Sequence, residues 1–495
     1  MEQIMLTTTN LKNLLKDPTL LCNKAFVAGE WIDANDGATF DVKNPARGDV
    51  LTTLPDLSII EVKRAIDAAE ASQRAWAART GKDRAAILRK WHDLMVANAD
   101  DLGMILTAEM GKPIAEGKGE IIYGASFIEW FAEEAKRIYG ETIPGHLPDK
   151  RITVLKQPVG VVASITPWNF PNAMIARKVA PALAVGCTFV ARPAKETPLS
   201  ALAMALLAER AGVPAGVFSV ITNTRASIVG KEFCDNPIVR KLTFTGSTEV
   251  GRILMEQAAG QIMKTSMELG GNAPFIVFDD ADLDKAVEGA MISKYRNNGQ
   301  TCVCANRIYV QAGIYDAFAK KLAAAVNAMS IGDGLEEGIT VGPLISMDAV
   351  EKVEEHIADA TTKGAKIAAG GTRHALGGTF FQPTILTGVT SDMIVTNDET
   401  FGPVAPLFKF ETEEEVVAAA NDTIFGLASY FYSNDLSRVH RVQEALEYGM
   451  VGVNTGLLST EVAPFGGIKQ SGIGREGSSH GTEDYLEMKY ICTSI

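Results

Sequence analysis

From residue 159 onward the sequence repeats one unit, a short apolar run followed by a longer stretch with helical spacing of its apolar residues. The first four runs have the length of buried strands and read VGVVASI, CTFVA, GVFSVI and RKLTFTG. Because parallel strands need long crossover connections, repeated strand–helix units predict a doubly wound parallel sheet. A second alternating series runs from NAPFIVFDD at 272 to about residue 450. The sequence therefore predicts an α/β protein with two such domains.

The region before residue 159 has a different pattern. Apolar–polar alternations broken by turn residues predict short strands over 26–55, and helical spacing then predicts helices over 61–79, 84–110 and 113–138. Turn residues interrupt the helical pattern at 139–160, which is typical of a hairpin, and the last residues, YLEMKYICTSI, have strand character. Both segments are candidate oligomer contacts, and two ordinary surface strands are the alternative.

Size and charge limit the classes of function. A chain of 495 residues exceeds the usual size of one hydrophobic core, so two or three domains are expected. Hydrophobic residues make up 46% and charged residues 22%, as in ordinary globular proteins. The net charge of −13 argues against nucleic acid or an anionic membrane surface as partner, although a local pair of cations can still bind a small anionic substrate.

Cysteine usage indicates a reducing compartment. Apart from the pair at 302 and 304, the cysteines are scattered and form no disulfide framework. They are Cys22, Cys187, Cys234, Cys302, Cys304 and Cys492. The N-terminal segment has no apolar core flanked by cations, and no run elsewhere approaches about 18 apolar residues. We therefore expect a soluble, cytoplasmic protein.

The residues FTGSTEVG, 244–251, lie where a predicted strand ends and a helix begins. Gly246 allows a tight turn, and Ser247 stands at the start of the helix, whose free backbone N–H groups suit a phosphate or pyrophosphate. A capped turn that binds nothing is the alternative, because its sequence would be much the same.

Two further loops carry side chains that suit catalysis. In SITPWNFPNAMIARK, prolines make a rigid loop after a strand, and Asn169 can donate a side-chain N–H to a developing oxyanion. In TSMELGGNAPFIVF, Glu268 precedes a Gly-Gly pair that allows close approach of another group. An acid in apolar surroundings has a raised pKa and can serve as a general base. A turn asparagine and a solvated surface glutamate are the simpler alternatives.

Three more stretches complete the set. NDETFGPVAP has Glu399 and Phe401 in a Gly-Pro turn, and the glycine-rich loop 463–477 must pack closely against another part of the chain. GQTCVCANR has Cys302 and Cys304 two positions apart. This spacing fits a metal clip, a structural pair or a nucleophile with a companion.

These pieces, in this order and at these spacings, resemble the aldehyde dehydrogenase superfamily over nearly the whole chain. Stretches such as YGASFIEWFAEEAKRIYGETIPGH and NTGLLSTEVAPFGGIKQSG are similar to its bacterial succinate-semialdehyde dehydrogenase branch, including glutarate-semialdehyde relatives. The resemblance implies two doubly wound Rossmann-like domains with a small β oligomerisation extension, assembled as a homodimer or homotetramer. The implied parts are a dinucleotide-binding domain over 1–139 and 158–269, a catalytic domain over 270–455, the β extension over 140–157 and 480–495, and a glycine-rich loop over 456–479 that returns to the cofactor domain.

The resemblance assigns the nucleophile to Cys302. Its thiolate would add to the aldehyde, hydride would leave for a nicotinamide, and Glu268 would activate the water that hydrolyses the thioester. Asn169 and the backbone N–H of Cys302 would hold the oxyanion. A reversible disulfide makes Cys304 a candidate redox partner, as in some members of this branch. No metal site is predicted, because no second cysteine pair or suitably spaced histidine follows.

The resemblance also assigns the cofactor site. The residues it implies around the dinucleotide are Trp168, Gly246, Ser247, Glu399 and Phe401. Where many NAD-using members have glutamate, this chain has Lys195, next to Arg192 and with Arg225 as a third cation nearby. A lysine beside an arginine would pair with the 2′-phosphate of NADP, so NADP is the preferred cofactor and NAD the alternative. The alternative is that these cations point to solvent and that the enzyme uses both cofactors.

The substrate prediction depends on cations near the nucleophile. In the succinate-semialdehyde branch, the residues that match Arg177, Arg296 and Ser459 hold the distal carboxylate of the substrate. A bidentate clamp of this kind would fix the aldehyde over Cys302. From the residues alone, either arginine could instead be a structural salt-bridge partner. Succinate and glutarate semialdehyde differ by one methylene, about 1 kcal/mol, so the sequence leaves both open.

Two alternatives come from other classes of protein. A cysteine acyltransferase or hydrolase would form a thioester without redox chemistry, but it leaves the phosphate-binding turn and the cations at 192 and 195 unexplained. A non-catalytic scaffold would be expected to have lost Cys302, Glu268 or Asn169, and all three are present. The sequence therefore favours oxidation of succinate semialdehyde to succinate, with glutarate semialdehyde as the alternative substrate.

Overall fold

The computed structural model describes residues 8–495. The first seven residues of the predicted cofactor domain and of the N-terminal segment lie outside the described residues. In the part of the chain that is described, no helix is long and apolar enough to cross a membrane.

The strands alternate with helices through most of the chain. In chain order they are β1 Ala25–Val27, β2 Glu30–Ile32, β3 Thr39–Lys43, β4 Val50–Pro55, β5 Glu141–Ile143, β6 Lys150–Pro158, β7 Val161–Ile165, β8 Thr188–Arg192, β9 Phe218–Val220, β10 Val239–Thr245, β11 Lys264–Glu268, β12 Ala273–Val277, β13 Ala305–Gln311, β14 Lys366–Ala369, β15 Thr384–Thr387, β16 Val404–Phe410, β17 Ala428–Tyr432, β18 Met450–Val453, β19 Gly472–Ile473 and β20 Leu486–Ser494.

The helices provide the crossovers and the outer layers. They are α1 Thr8–Leu14, α2 Ile59–Ala77, α3 Gly81–Ala97, α4 Ala99–Met110, α5 Ile114–Glu134, α6 Ala173–Val185, α7 Leu199–Ala211, α8 Ala226–Asp235, α9 Thr248–Ala259, α10 Leu283–Tyr295, α11 Tyr315–Asn327, α12 Met347–Thr362, α13 Ile394–Asn397, α14 Glu413–Asn421 and α15 Leu436–Ala445.

The first large sheet has the order β19-β11-β10-β7-β8-β9-β1-β2. Its five central strands, β11 to β9, are parallel. Successive residues of β8 pack into opposite apolar layers, Phe189 in one and Val190 in the other. Helices therefore cover both faces, as the sequence predicted for a doubly wound sheet.

The second large sheet has the order β14-β15-β16-β13-β12-β17-β18. It is parallel except for β14, which pairs antiparallel with β15. The faces of β12 again belong to two apolar clusters, with Phe275 in one and Ile276 in the other. The predicted fold class, two doubly wound α/β units, is confirmed.

A third, smaller sheet extends from the first unit. The C-terminal strand β20 pairs antiparallel with β6 along its whole length, from Leu486 opposite Pro158 to Ser494 opposite Lys150, and β5 pairs with the other edge of β6. Apolar side chains such as Met488 stay exposed on this sheet. Its role in oligomer contacts stays a prediction.

One predicted helix is divided in the structure. The pattern predicted a single helix over 84–110, but α3 ends at Ala97 and α4 begins at Ala99. Asn98 lies between them with φ −106° and ψ 16°, and its side-chain amide donates to the carbonyl of Leu94. Asparagine competes for backbone hydrogen bonds at helix ends, so apolar periodicity alone did not reveal this break.

Candidate active site

The strand order places a crevice at the carboxyl edge of the first sheet. The chain runs from β7 outward through β8 to β9, then crosses back to β10 and continues outward through β11. Loops that leave β7 and β10 therefore diverge, and doubly wound sheets bind ligands at such a switch point. A cavity of about 290 Å³ lies here.

Seven of the predicted site residues line this cavity. Those that the sequence analysis named are Trp168, Asn169, Gly246, Ser247, Cys302, Glu399 and Phe401. They come from the loop after β7, the turn before α9, the loop before β13 and the turn before β16. The structure thus brings together segments that are more than 200 residues apart in the chain.

The cysteine loop is fixed from several directions. Cys302 and Val303 form a turn closed by the N–H of Cys304, which donates to the carbonyl of Thr301 at 3.1 Å. The Tyr430 hydroxyl donates to the Val303 carbonyl at 2.8 Å. Burial raises the pKa of the Cys302 thiol to about 12, and Arg177 opposes this shift. Formation of the thiolate therefore depends on the positive charge around it.

Asn169 is held with its amide at the cavity. Its side-chain Nδ2 donates to the backbone carbonyl of Gln300 at 3.0 Å, and the backbone carbonyl of Asn169 accepts from Lys112 Nζ at 2.7 Å. Lys112 in turn pairs with Glu120 at 2.7 Å, and both side chains are buried. Because the amide nitrogen has two N–H groups, one stays available for an oxyanion beside Cys302.

Glu268 ends β11 and is only 4% exposed. Neither carboxyl oxygen has a hydrogen-bond partner among the described residues. Burial raises the pKa of Glu268 well above its usual value, the negative charge of Glu476 adds to the rise, and Arg177 opposes it. Glu268 is thus a buried acid with a raised pKa, and its role as the general base stays a prediction.

The glycine-rich loop covers Glu268. Within it, β19 pairs with β11, placing Gly472 opposite Glu268. A Cβ at Gly472 would lie 1.9 Å from the carbonyl of Met267, and one at Gly466 would lie 3.0 Å from Glu268 Oε1. The glycines are therefore required by close approach to β11, which is the packing partner that the sequence could not name.

Arg177 is an ion-pair partner in the structure. Its guanidinium lies 2.7 Å from a carboxyl oxygen of Glu476, and the Nζ of Lys178 contacts the other oxygen. All three side chains are at most 5% exposed. Burial raises the pKa of Glu476, but Arg177 and Lys178 outweigh it and hold that pKa below its usual value. The salt-bridge alternative for Arg177 is thus realised, and its contact with substrate stays a prediction.

Arg296 and Ser459 lie on the other side of the cysteine loop. Both line a small second pocket together with Thr301 and Val303, the two neighbours of Cys302 in the chain. The Arg296 guanidinium stacks over the Phe170 ring at 4.9 Å from its centroid. Within residues 8–495, no carboxylate lies within ion-pair distance of Arg296.

Three other predicted cations, Arg192, Lys195 and Arg225, lie apart from the main cavity. Arg192 is 6% exposed at the end of β8, where it donates to the carbonyl of Asn223 at 2.8 Å and keeps an unpartnered Nε. Lys195 is half-exposed and lines a neighbouring cavity of about 330 Å³ with Thr224. Arg225 is exposed at the start of α8. These positions fit an extended ligand that continues beyond the main cavity.

Glu399 links the turn before β16 to the segment that joins β11 to β12. Its Oε1 accepts from the N–H of Gly271 at 3.1 Å, and a Cβ at Gly270 would lie 2.7 Å from its Oε2. Burial raises the pKa of Glu399 to about 7. Lys352 Nζ donates to the Glu399 carbonyl at 2.6 Å and also lines the cavity. Nothing in the sequence around Lys352 singles it out, because it is an ordinary cation on α12.

The cavity has the donor set of a nicotinamide-dinucleotide site. Ser247 caps α9, so the positive end of a twelve-residue helix faces the cavity where a pyrophosphate would be held. Thr245 also lines the cavity, and its buried hydroxyl has no hydrogen-bond partner among the described residues. Trp168 packs edge-on against Phe401 at 5.6 Å and forms an aromatic wall.

Comparison with known proteins identifies the architecture. A family profile described as "Aldehyde dehydrogenase family" matches residues 31–491. The chain belongs to the aldehyde dehydrogenase family. As an aldehyde dehydrogenase, the enzyme acts on aldehydes, and the resemblance drawn from its sequence motifs is confirmed.

Relatives with different substrates are similarly close to this aldehyde dehydrogenase. A glutarate-semialdehyde dehydrogenase of Pseudomonas aeruginosa is 66% identical, over 97% of this chain and 99% of its own. The NADP(+) succinate-semialdehyde dehydrogenase GabD of Escherichia coli is 64% identical, over 97% of this chain and 100% of its own. A crystal structure of succinate-semialdehyde dehydrogenase from Burkholderia pseudomallei, 62% identical, superimposes with a TM-score of 0.96 over 97% of this chain and 100% of that one.

Proposed function

We propose that this aldehyde dehydrogenase oxidises succinate semialdehyde to succinate through a covalent thioester on Cys302 and prefers NADP. The observation that supports this substrate is the guanidinium of Arg296, which has no carboxylate within ion-pair distance in residues 8–495. It lines the same small pocket as Ser459 and the two chain neighbours of Cys302. A carboxylate bound there would hold an aldehyde a few bonds away over the cysteine sulfur.

Each residue has one role in the reaction. The thiolate of Cys302 adds to the aldehyde carbon, while Asn169 and the backbone N–H of Cys302 stabilise the oxyanion. A bound nicotinamide cofactor supplies the acceptor for the hydride. Glu268 then takes a proton from the water that attacks the thioester, and the second oxyanion collapses to release the acid. Burial of Glu268 under the glycine-rich loop supports this role, because a raised pKa suits a base that also gives up its proton.

The residues around the cavity can be assigned to successive parts of the cofactor. The start of α9 with Gly246 and Ser247 would hold the pyrophosphate, and Glu399 with Phe401 would lie near the nicotinamide ribose. Arg192 and Lys195 would hold the 2′-phosphate, which distinguishes NADP from NAD. The buried, unpartnered Nε of Arg192 supports a ligand at this position. The name of the Escherichia coli relative supports NADP as well.

Glutarate semialdehyde is the second candidate substrate. The relatives named for the two substrates are almost equally similar to this chain, at 66% and 64% identity. One methylene is worth about 1 kcal/mol, so a pocket built for one acid accepts the other with a modest loss. The non-redox acyltransferase alternative is not supported by anything at the cavity, since it gives no role to the start of α9 or to Arg192.

Initial rates over a two-by-two grid test the proposal, with succinate or glutarate semialdehyde and NAD⁺ or NADP⁺. We expect a higher kcat/KM with NADP⁺, and the better aldehyde identifies the substrate. Cys302→Ala is the control and should abolish turnover. Failure to oxidise either aldehyde would refute the carboxylate site, and a clear preference for NAD⁺ would refute the role of Arg192 and Lys195.

A further inference from the structure

Lys294 and Cys304 form a buried amine–thiol pair that the catalytic mechanism does not use. The Nζ of Lys294 donates to Cys304 Sγ at 3.3 Å and to Asn306 Oδ1 at 3.0 Å. Both partners of the pair are 0% exposed. Among the described residues, no carboxylate lies within ion-pair distance of this amine, so the thiol sulfur is one of its two side-chain partners.

The two cysteines of the loop face different surroundings. Cys302 lines the main cavity, whereas Cys304 Sγ lies against the end of α10, where it also contacts the carbonyl of Lys294 at 3.4 Å. The turn at 302–303 separates their directions. In this structure the reactive group next to the sulfur of Cys304 is therefore the lysine amine.

We propose that Lys294 and Cys304 are an oxidative modification site, at which hydrogen peroxide joins Nζ to Sγ in a reversible sulfenamide bond. First, the O–O bond of peroxide breaks, the sulfur is oxidised from thiol to sulfenic acid, and water is released. The lone pair of the amine then attacks the sulfur. The N–S bond forms, the S–O bond breaks, and the leaving hydroxide takes a proton from nitrogen as a second water. Excess thiol reduces the N–S bond and restores both side chains.

The environment favours the second step, the attack of the amine, whereas burial raises the pKa of the Cys304 thiol and Lys294 opposes that rise. Burial lowers the pKa of Lys294, which increases the fraction of neutral amine that can attack. The 3.3 Å contact places the nitrogen next to the sulfur that it attacks, and both groups are buried. Ser293 and Val303, the chain neighbours of the two partners, line the small pocket of Arg296, and this pocket is the route that we assign to peroxide.

Peptide mapping tests the site on the intact protein. Wild type and Cys302→Ala are treated with peroxide, alkylated and digested with trypsin. We expect peptides 286–296 and 297–307 joined in both proteins, with a loss of two hydrogens, about 2 Da, and released by dithiothreitol. Lys294→Arg keeps the positive charge but lacks the nucleophilic amine, so it should give no joined peptides. Lys294→Met should behave in the same way.

Cys187 provides an internal control. It is also fully buried, but its sulfur contacts the carbonyl of Tyr485 and no lysine amine, so it should form no cross-link. The proposal is overturned if Cys304 of the Cys302→Ala protein becomes sulfinic acid while Lys294 stays unmodified. It is also overturned if Cys304 of wild type is found only in a disulfide with Cys302, or stays a free thiol after Cys302 has been fully oxidised.

Discussion

The guanidinium of Arg177 lies 2.7 Å from the carboxylate of Glu476, under the same glycine-rich loop that covers Glu268. This ion pair distinguishes the two arginines near Cys302. Arg177 is compensated inside the protein, whereas Arg296 has no carboxylate partner within residues 8–495. Substitution of Arg177 should therefore affect stability, whereas substitution of Arg296 should affect the rate with acidic substrates.

Arg177→Met should lower the stability of the protein. It leaves the buried carboxylate of Glu476 with Lys178 alone, and breaking a buried pair from one side costs about 3–5 kcal/mol. Chemical denaturation measures the free energy of unfolding. The double variant Arg177→Met/Glu476→Gln removes the uncompensated charge and should recover part of the loss; equal instability of single and double variants would contradict the argument.

Arg296→Ala should impair acidic substrates selectively. Hydrogen bonds to a charged group contribute about 1.5–3 kcal/mol, so kcat/KM for both semialdehyde acids should fall by about ten- to a hundred-fold, mainly through KM. The rate with an uncharged aldehyde such as pentanal should change little. Arg441→Ala, at an exposed arginine paired with Glu413, is the matched control. An equal loss with pentanal would rule out a carboxylate clamp.

Glu268→Gln should trap the acyl-enzyme. Without the base, thioester hydrolysis slows, and mass spectrometry should find the acyl group on Cys302 after one turnover. Because the pKa of Glu268 is raised, the base form appears only as pH increases. Hydrolysis by wild type should therefore speed up as pH rises through the raised pKa of Glu268, and the variant should lose this dependence. A variant that hydrolyses the thioester at the wild-type rate would assign the base elsewhere.

Lys195→Glu should move the cofactor preference toward NAD⁺. A carboxylate would repel the 2′-phosphate of NADP and accept hydrogen bonds from the free ribose hydroxyls of NAD. The ratio of kcat/KM for the two cofactors measures the change, and we expect a shift of at least about tenfold. Lys285→Glu makes the same charge change at an exposed lysine on α10 and should leave the ratio unaltered. An unshifted ratio in Lys195→Glu would mean that this side chain does not contact the phosphate.

Gly271→Ala should reduce activity through the cysteine loop. Its Cβ would lie 2.4 Å from the carbonyl of Cys302, so the nucleophile has to move. A displacement of about 1 Å costs roughly a hundredfold in rate. Gly119→Ala, on α5 with nothing within 4 Å of its Cβ, should keep full activity. Wild-type kcat in Gly271→Ala would show that the loop tolerates the shift.

The sequence by itself determined the fold class, the family and seven of the residues that line the cavity. Strand–helix alternation is a local pattern, and Cys302, Glu268 and Asn169 each stand in a stretch of distinctive composition, so both could be read before any contact was known. The break at Asn98 was missed because the apolar spacing continues across it.

Only the tertiary structure decided which charges are compensated. Nothing in the sequence pairs Glu476 with Arg177 or Lys352 with the Glu399 turn, yet the structure places each of them in contact with that partner. The same holds for Cys304, which stands two residues after Cys302 in the chain but whose sulfur contacts Lys294. Side-chain pairing across a buried site depends on segments that meet only after folding, and local composition does not predict which segments those are.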